Sequence, residues 1–148
     1  MKETLELIAV EQRTASENVH APASHDHIEN LKAEAKSRLS AELPDEFLDF
    51  LALYDGVDFN GVVIYGSHQS HDNRDQSGFW QGLIAANAEW RESGDHEEYV
   101  ILGETGMDIL TVDKNGQKPA ARDRVSGDIV EEFPSTAMMI ERYLKAHL

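Results

Sequence analysis

The sequence has no cysteine, so disulfides, thiol nucleophiles and thiolate metal sites are excluded at once. It is also poor in positive charge: 13 Lys and Arg stand against 28 Asp and Glu, a formal net charge of -15. Nucleic acid is therefore not an expected partner, because a phosphate backbone attracts clustered Lys and Arg and no run here has that density. Long apolar runs are missing too. The opening residues MKETLELIAVEQRT mix acids with apolar residues, unlike the unbroken apolar stretch of a secretory signal, and no later segment is long and apolar enough to cross a bilayer. A cytoplasmic protein with no membrane partner is the expectation.

What is present describes a globular chain. Its 148 residues are enough for one core, and 41% hydrophobic with 28% charged residues fits neither a disordered nor a membrane composition. One domain over 1–148 is expected. Leu5, Ile8 and Gln12 give a short, weakly amphipathic helix at about 3–17, with Leu7 and Val10 off its stripe, ended by Pro22. Ser24 can cap a second helix carrying Ile28, Leu31, Ala35 and Leu39. Pro44 suits the first turn of a third helix, where Asp45 and Glu46 complement the dipole and Phe47, Leu48, Leu51 and Tyr54 share a face. Gly56 reads as its left-handed stop and Gly61 as the start of a strand over Val62–Tyr65, so the two glycines punctuate a helix-to-strand crossover.

Residues 67–78 are polar and turn-forming, an exposed loop. Trp80, Leu83, Ile84 and Asn87 place a helix at about 78–91. Tyr99–Leu102 and Met107–Val112 read as a hairpin, Asn115-Gly116 as a tight turn, 120–125 and 129–133 as further strands. Ser135 or Thr136 then caps a closing helix with Met139, Ile140, Tyr143 and Leu144 on one face. Helices at both ends of a mostly antiparallel sheet make an α+β fold.

Sequences that resemble catalytic or metal motifs fail in detail. His68, His71, Asp72 and Asp75 are the best metal-ligand candidates, but they sit in a loop with nothing to fix them. His25 and His27 are two residues apart on a helix and point to different faces. The run HEEYV lacks the second histidine of a zinc protease, and aligning Gly116 as the sixth position of a calcium loop puts Thr111 and Arg122 where carboxylates are required. Asp45 and Asp49 share a helical face, as pairs do by chance in so acidic a chain. No residue is assigned to catalysis, a cofactor or a metal.

LPDEFLDFLALYDG followed by GVVIYG resembles the opening signature of the SUKH superfamily, the SMI/KNR-type cell-wall-assembly regulator and toxin-immunity family; the residues that carry it are Leu43, Pro44, Phe47, Phe50, Leu51, Gly56, Gly61, Ile64, Tyr65 and Gly66. EYVILGETGMDILTVDKNG is similar to the family's central hairpin and FPSTAMMIERYL to its closing strand and helix. The resemblance covers residues 24–148, leaving 1–22 as an N-terminal helical extension, and Asp55 stands where the family often has Asn. It implies an SMI/KNR-like α+β fold and, as in the bacterial members, an immunity protein that binds and neutralises a toxin, many such toxins being nucleases. No family active-site residue is available to carry over.

Resemblance and charge together give the expectation of a non-enzymatic protein-binding module docking on a basic protein toxin. Asp45, Glu46, Asp49, Asp55, Asp58, Asp72 and Asp75 are the candidate partner contacts. The alternatives are a regulatory or scaffold protein without a toxin partner, and, less favoured, a metal-dependent enzyme using the loop from His68 to Asp75.

Overall fold

Each expected helix is built on the apolar stripe that marks it in the sequence. The computed structural model describes residues 1–17, 19, 21–69 and 81–148. Helix α1 (Lys2–Thr14) buries Leu5, Ile8, Ala9 and Gln12 and leaves Leu7 and Val10 exposed. Helix α2 (His25–Leu39) starts where the Ser24 side chain accepts from His27 N–H, and buries Leu31, Ala35 and Leu39. Helix α3 (Asp45–Leu53) begins after Pro44 and buries Phe47, Leu48, Phe50 and Leu51. Helix α5 (Thr136–Ala146) is capped by Ser135, which accepts from Met138 N–H, and buries Met139, Ile140 and Leu144.

The stretch after α3 differs from the expected crossover. Strand β1 (Val57–Phe59) precedes β2 (Val62–Ile64), and Asn60 and Gly61, at φ 46° and 90°, join them as a two-residue hairpin turn. Both central residues have positive φ, as such tight hairpins require. Gly56 does have positive φ (89°), but it lies beyond the helix cap at Tyr54, and a Cβ there would meet Gly66 N at 3.0 Å. Gly56 thus allows two backbones to touch rather than ending a helix.

Helix α4 (Leu83–Trp90) also begins later than the apolar stripe suggests, and a 3-10 turn at Arg91–Ser93 follows it. Gly82 is extended and lies against the backbone of His68 and Gln69, which holds the chain out of helical geometry there. Of the exposed loop expected at 67–78, Ser67 is buried and residues 70–78 lie outside the described residues, as does Trp80 of the expected helix.

Strands β3 (Tyr99–Glu104), β4 (Asp108–Asp113), β5 (Ala120–Asp123) and β6 (Ile129–Glu132) complete a six-stranded antiparallel meander in the order β1-β2-β3-β4-β5-β6. The β3–β4 register pairs Tyr99 with Asp113 and Glu104 with Ile109, with an irregularity between Ile101 and Gly103. β3 and β4 each bury four consecutive residues, the pattern of strands covered on both faces. Helix α4 packs on β3, and α5 on β2 and β4. At the far edge all four residues of β6 are exposed; Glu131 and Glu132 put charge on an edge that would otherwise invite another strand. The fold is α+β, with five helices flanking one sheet among the described residues, as expected.

Candidate binding surface

The start of α3 is held from both sides. Ser40 ends α2 in a left-handed conformation (φ 53°), turning the chain so that Glu42 N–H donates to Lys114 C=O at 2.8 Å. Gly116 lies so close that a Cβ would come within 3.0 Å of Glu42 O and 3.2 Å of Pro44 N. The β4–β5 turn, built on Asp113 Oδ1 accepting from Asn115 and Gln117 N–H, therefore clamps residues 42–44. Glu46 turns away from its own helix: its Oε1 accepts from Ala137 N–H in the first turn of α5 at 3.3 Å, complementing the positive end of that helix.

What results is an acidic ridge between two grooves. Glu42, Asp45, Glu46 and Asp49 are all exposed within two turns of chain. A groove of about 480 Å³ runs on the α2 side, with Ala41, Leu43 and Leu48 among its lining and Lys32 and Lys36 across from Asp45. A second, of about 350 Å³, lies between the ridge and the β4–β5 turn, with Pro119 and Pro134 among its lining. Apolar lining beside a charged rim, as on the α2 side, is the composition of a protein-contact surface, while the second groove is lined mainly by polar groups.

The other candidate contacts separate from this ridge. Asp58 is half-buried on β1, and its carbonyl accepts from Gln12 Nε2. Asp72 and Asp75 lie outside the described residues. Asp55 requires correction: it is 2% exposed, and its carboxylate serves the interior, where Oδ1 accepts from Ser67 N–H at 2.7 Å and Oδ2 from Ser67 Oγ–H at 2.8 Å. Such a group holds its own chain together and does not present charge to a partner.

Asp55 also gathers two histidines that linear spacing keeps apart. His68 Nδ1 lies 3.0 Å from Ser67 Oγ and 3.8 Å from Asp55 Oδ2, and the His27 and His68 rings are 4.0 Å apart between centroids. Burial, helped by the neighbouring His27, lowers the His68 pKa against the pull of Asp55. His68 was expected to stand with His71, Asp72 and Asp75, of which nothing is described; no sequence signal links it to His27 or Asp55, because only the packing of three segments does so.

A further recess of about 280 Å³ is lined by Gln81, Glu89, Trp90, Glu104 and Arg124. Behind it the Tyr65 hydroxyl donates to the Glu104 carboxylate and accepts from Trp90 Nε1–H at 2.9 Å. Burial, then the bond to Glu104, holds that hydroxyl well above the usual tyrosine range, so it stays protonated. Glu104 is paired with Arg124 at 3.5 Å, whose guanidinium sits 5.0 Å over the Trp90 ring. The recess offers hydrogen-bonding surface in which Arg124 matches the charge of Glu104, with Glu89 exposed beside them.

No protein-family model and no curated protein matches the chain. Among solved structures it is similar to the crystal structure of a protein from Pseudomonas syringae pv. tomato, at 20% identity and a TM-score of 0.58 over 93% of this chain and 92% of that one. That likeness shows a shared fold. Among the described residues no helix is long and apolar enough to cross a membrane.

Proposed function

We propose that this chain is a SUKH-type protein-binding module, an immunity protein that docks on a basic toxin through the acidic start of α3. The observation that carries this reading is the run of exposed acids Glu42, Asp45, Glu46 and Asp49, of which the first three line one or both of two grooves, on a chain of net charge -15. Charge there speeds encounter with a basic partner, and the groove lined by Ala41, Leu43 and Leu48 receives the anchoring side chains that supply affinity. Charge alone does not suffice, since exposed ion pairs contribute only about 0.2–1 kcal/mol each.

The test is paired capture from the source cell's lysate and secreted fraction, using the wild type and the variant D45K/D49K at low and moderate salt. A basic toxin that the wild type retains and inhibits, and with which the variant associates about tenfold more slowly, is the expected result. If both proteins retain the same toxin equally well, the ridge is not its docking surface. Recovery of housekeeping proteins alone favours a regulatory or scaffold role.

A further inference from the structure

We propose that His27, Asp55 and His68, whose ligand atoms all lie within 4.8 Å of one another, form a binding site for a divalent transition ion of the zinc type. The site is independent of the docking ridge and would stand if that reading fell. Two imidazoles and one carboxylate are a donor set suited to zinc, which takes His nitrogen at about 2.0–2.1 Å and carboxylate oxygen at about 2.0–2.2 Å. Tetrahedral ligands at such distances sit about 3.3 Å apart, so closing on an ion requires movements on the order of 1 Å. The side chain best placed to make them is His27, exposed on the first turn of α2.

The other two ligands are already fixed. Ser67 touches both, giving its N–H and its hydroxyl to Asp55 and lying 3.0 Å from His68 Nδ1. Ser67 thereby orients the Asp55 carboxylate, as the hydrogen-bonded neighbours of a metal ligand do. Backbone contacts hold the segments: Gly56 rests on Gly66, and Gly82 packs so tightly that a Cβ would lie 2.5 Å from Gln69 N and 2.6 Å from His68 C. Gly82 N–H also donates to Gln69 Oε1 at 3.0 Å. The lead-in to α2 is tied to the same place, since Asp55 N–H donates to Ala21 C=O at 3.0 Å and Ala23 N–H to Leu51 C=O at 2.8 Å.

Three segments distant in sequence thus bring three ligands to one point, with two of them held by backbone contacts and hydrogen bonds as a preorganised ion site requires. Three protein ligands leave a tetrahedral ion one position for water or a partner's side chain. Among the described residues, His25, His96 and His147 belong to no such group.

The experiment is calorimetric titration of the untagged full-length protein with ZnCl₂, beside the variants H27A, H68A and H25A, each first checked for a native thermal transition. The His27 and His68 variants are preferred to D55N because both rings reach the surface, whereas Asp55 is buried and its loss endangers folding. One equivalent of Zn²⁺ should bind the wild type, at least tenfold weaker in H27A and in H68A and unchanged in H25A. Zinc should also raise the melting temperature of the wild type and not that of H27A/H68A. Absence of a one-to-one step in the wild type, or one that survives both His27 and His68 substitutions, overturns the site.

Discussion

The β2–β3 pairing runs to Ile64–Gly103, and Tyr65 N–H makes one more bond to Leu102 C=O at 3.0 Å. Ile101 is the next residue back along β3. Asn87 of α4 meets its backbone: Oδ1 accepts from Ile101 N–H at 2.9 Å, and Nδ2 donates to Ile101 C=O at 2.8 Å and to Leu83 C=O at 2.9 Å. A side-chain amide carries the same donor and acceptor as a peptide, so one residue continues the ladder and docks a helix on it. Asn87 is fully buried, and N87A would leave both Ile101 groups unpaired away from water. At about 1–3 kcal/mol for each unsatisfied group, the substitution should cost roughly 2–5 kcal/mol, read as a lower urea midpoint with unchanged slope. N87D should be no milder, because it removes both donors and buries a carboxylate. A loss below about 1 kcal/mol would mean that water or a shifted strand replaces the amide.

At the scale of elements, α1 is the informative case. Outside the family resemblance and weakly amphipathic, it still packs on α5 and adds Leu5, Ile8 and Ala9 to the common core. Gln12 fastens it further by accepting from the Tyr54 hydroxyl. Deleting a buried branched chain leaves a cavity, so I8A should lower stability by about 2–5 kcal/mol, while the neighbouring exposed L7A should stay within about 0.5 kcal/mol. Equal effects would mean that α1 is not seated as described. The seam also has a pH dependence through Glu141, which accepts from Thr4 Oγ at 3.1 Å and pairs with the Met1 amino group and Lys145, each at 3.2 Å. Those donors, the amino group first, hold its pKa below the usual glutamate range. A carboxylate depressed on folding stabilises above its unfolded pKa, and that contribution fades as pH falls through the folded one. Amide exchange in α1, measured against α2, should therefore accelerate on acidification below about pH 4.5 in the wild type and show a weaker pH dependence in E141Q.

For the molecule as a whole, local signals and tertiary placement divide cleanly. Helices α2, α3 and α5 and the β3–β4 hairpin were legible because each carries its own periodicity, cap or turn. Strand β1 was not: three residues are too few to show alternation, and Gly61 reads as the start of the next strand rather than as half of a hairpin turn. Of the candidate contacts, Asp45, Glu46 and Asp49 lie at the exposed start of α3, where an amphipathic helix predicts them, while the burial of Asp55 and its meeting with His27 and His68 follow from how three segments pack. Net charge is a whole-molecule property that needed no fold, and it sets opposite salt dependences for folding and binding. With 28 acids against 13 bases, compaction brings like charges together, whereas the exposed ion pairs Glu29–Lys32, Glu34–Arg38 and Glu131–Arg142 return little. Raising ionic strength from 0.01 to 0.15 M shortens the screening length from about 30 to about 8 Å, which relieves the repulsion. The melting temperature of the free protein should rise over that range, while its association rate with a basic partner should fall as the attraction is screened. If melting temperature falls with salt instead, local ion pairs outweigh the net repulsion. If melting rises but the association rate does not change, the acidic surface shapes the stability of this fold without steering its partner.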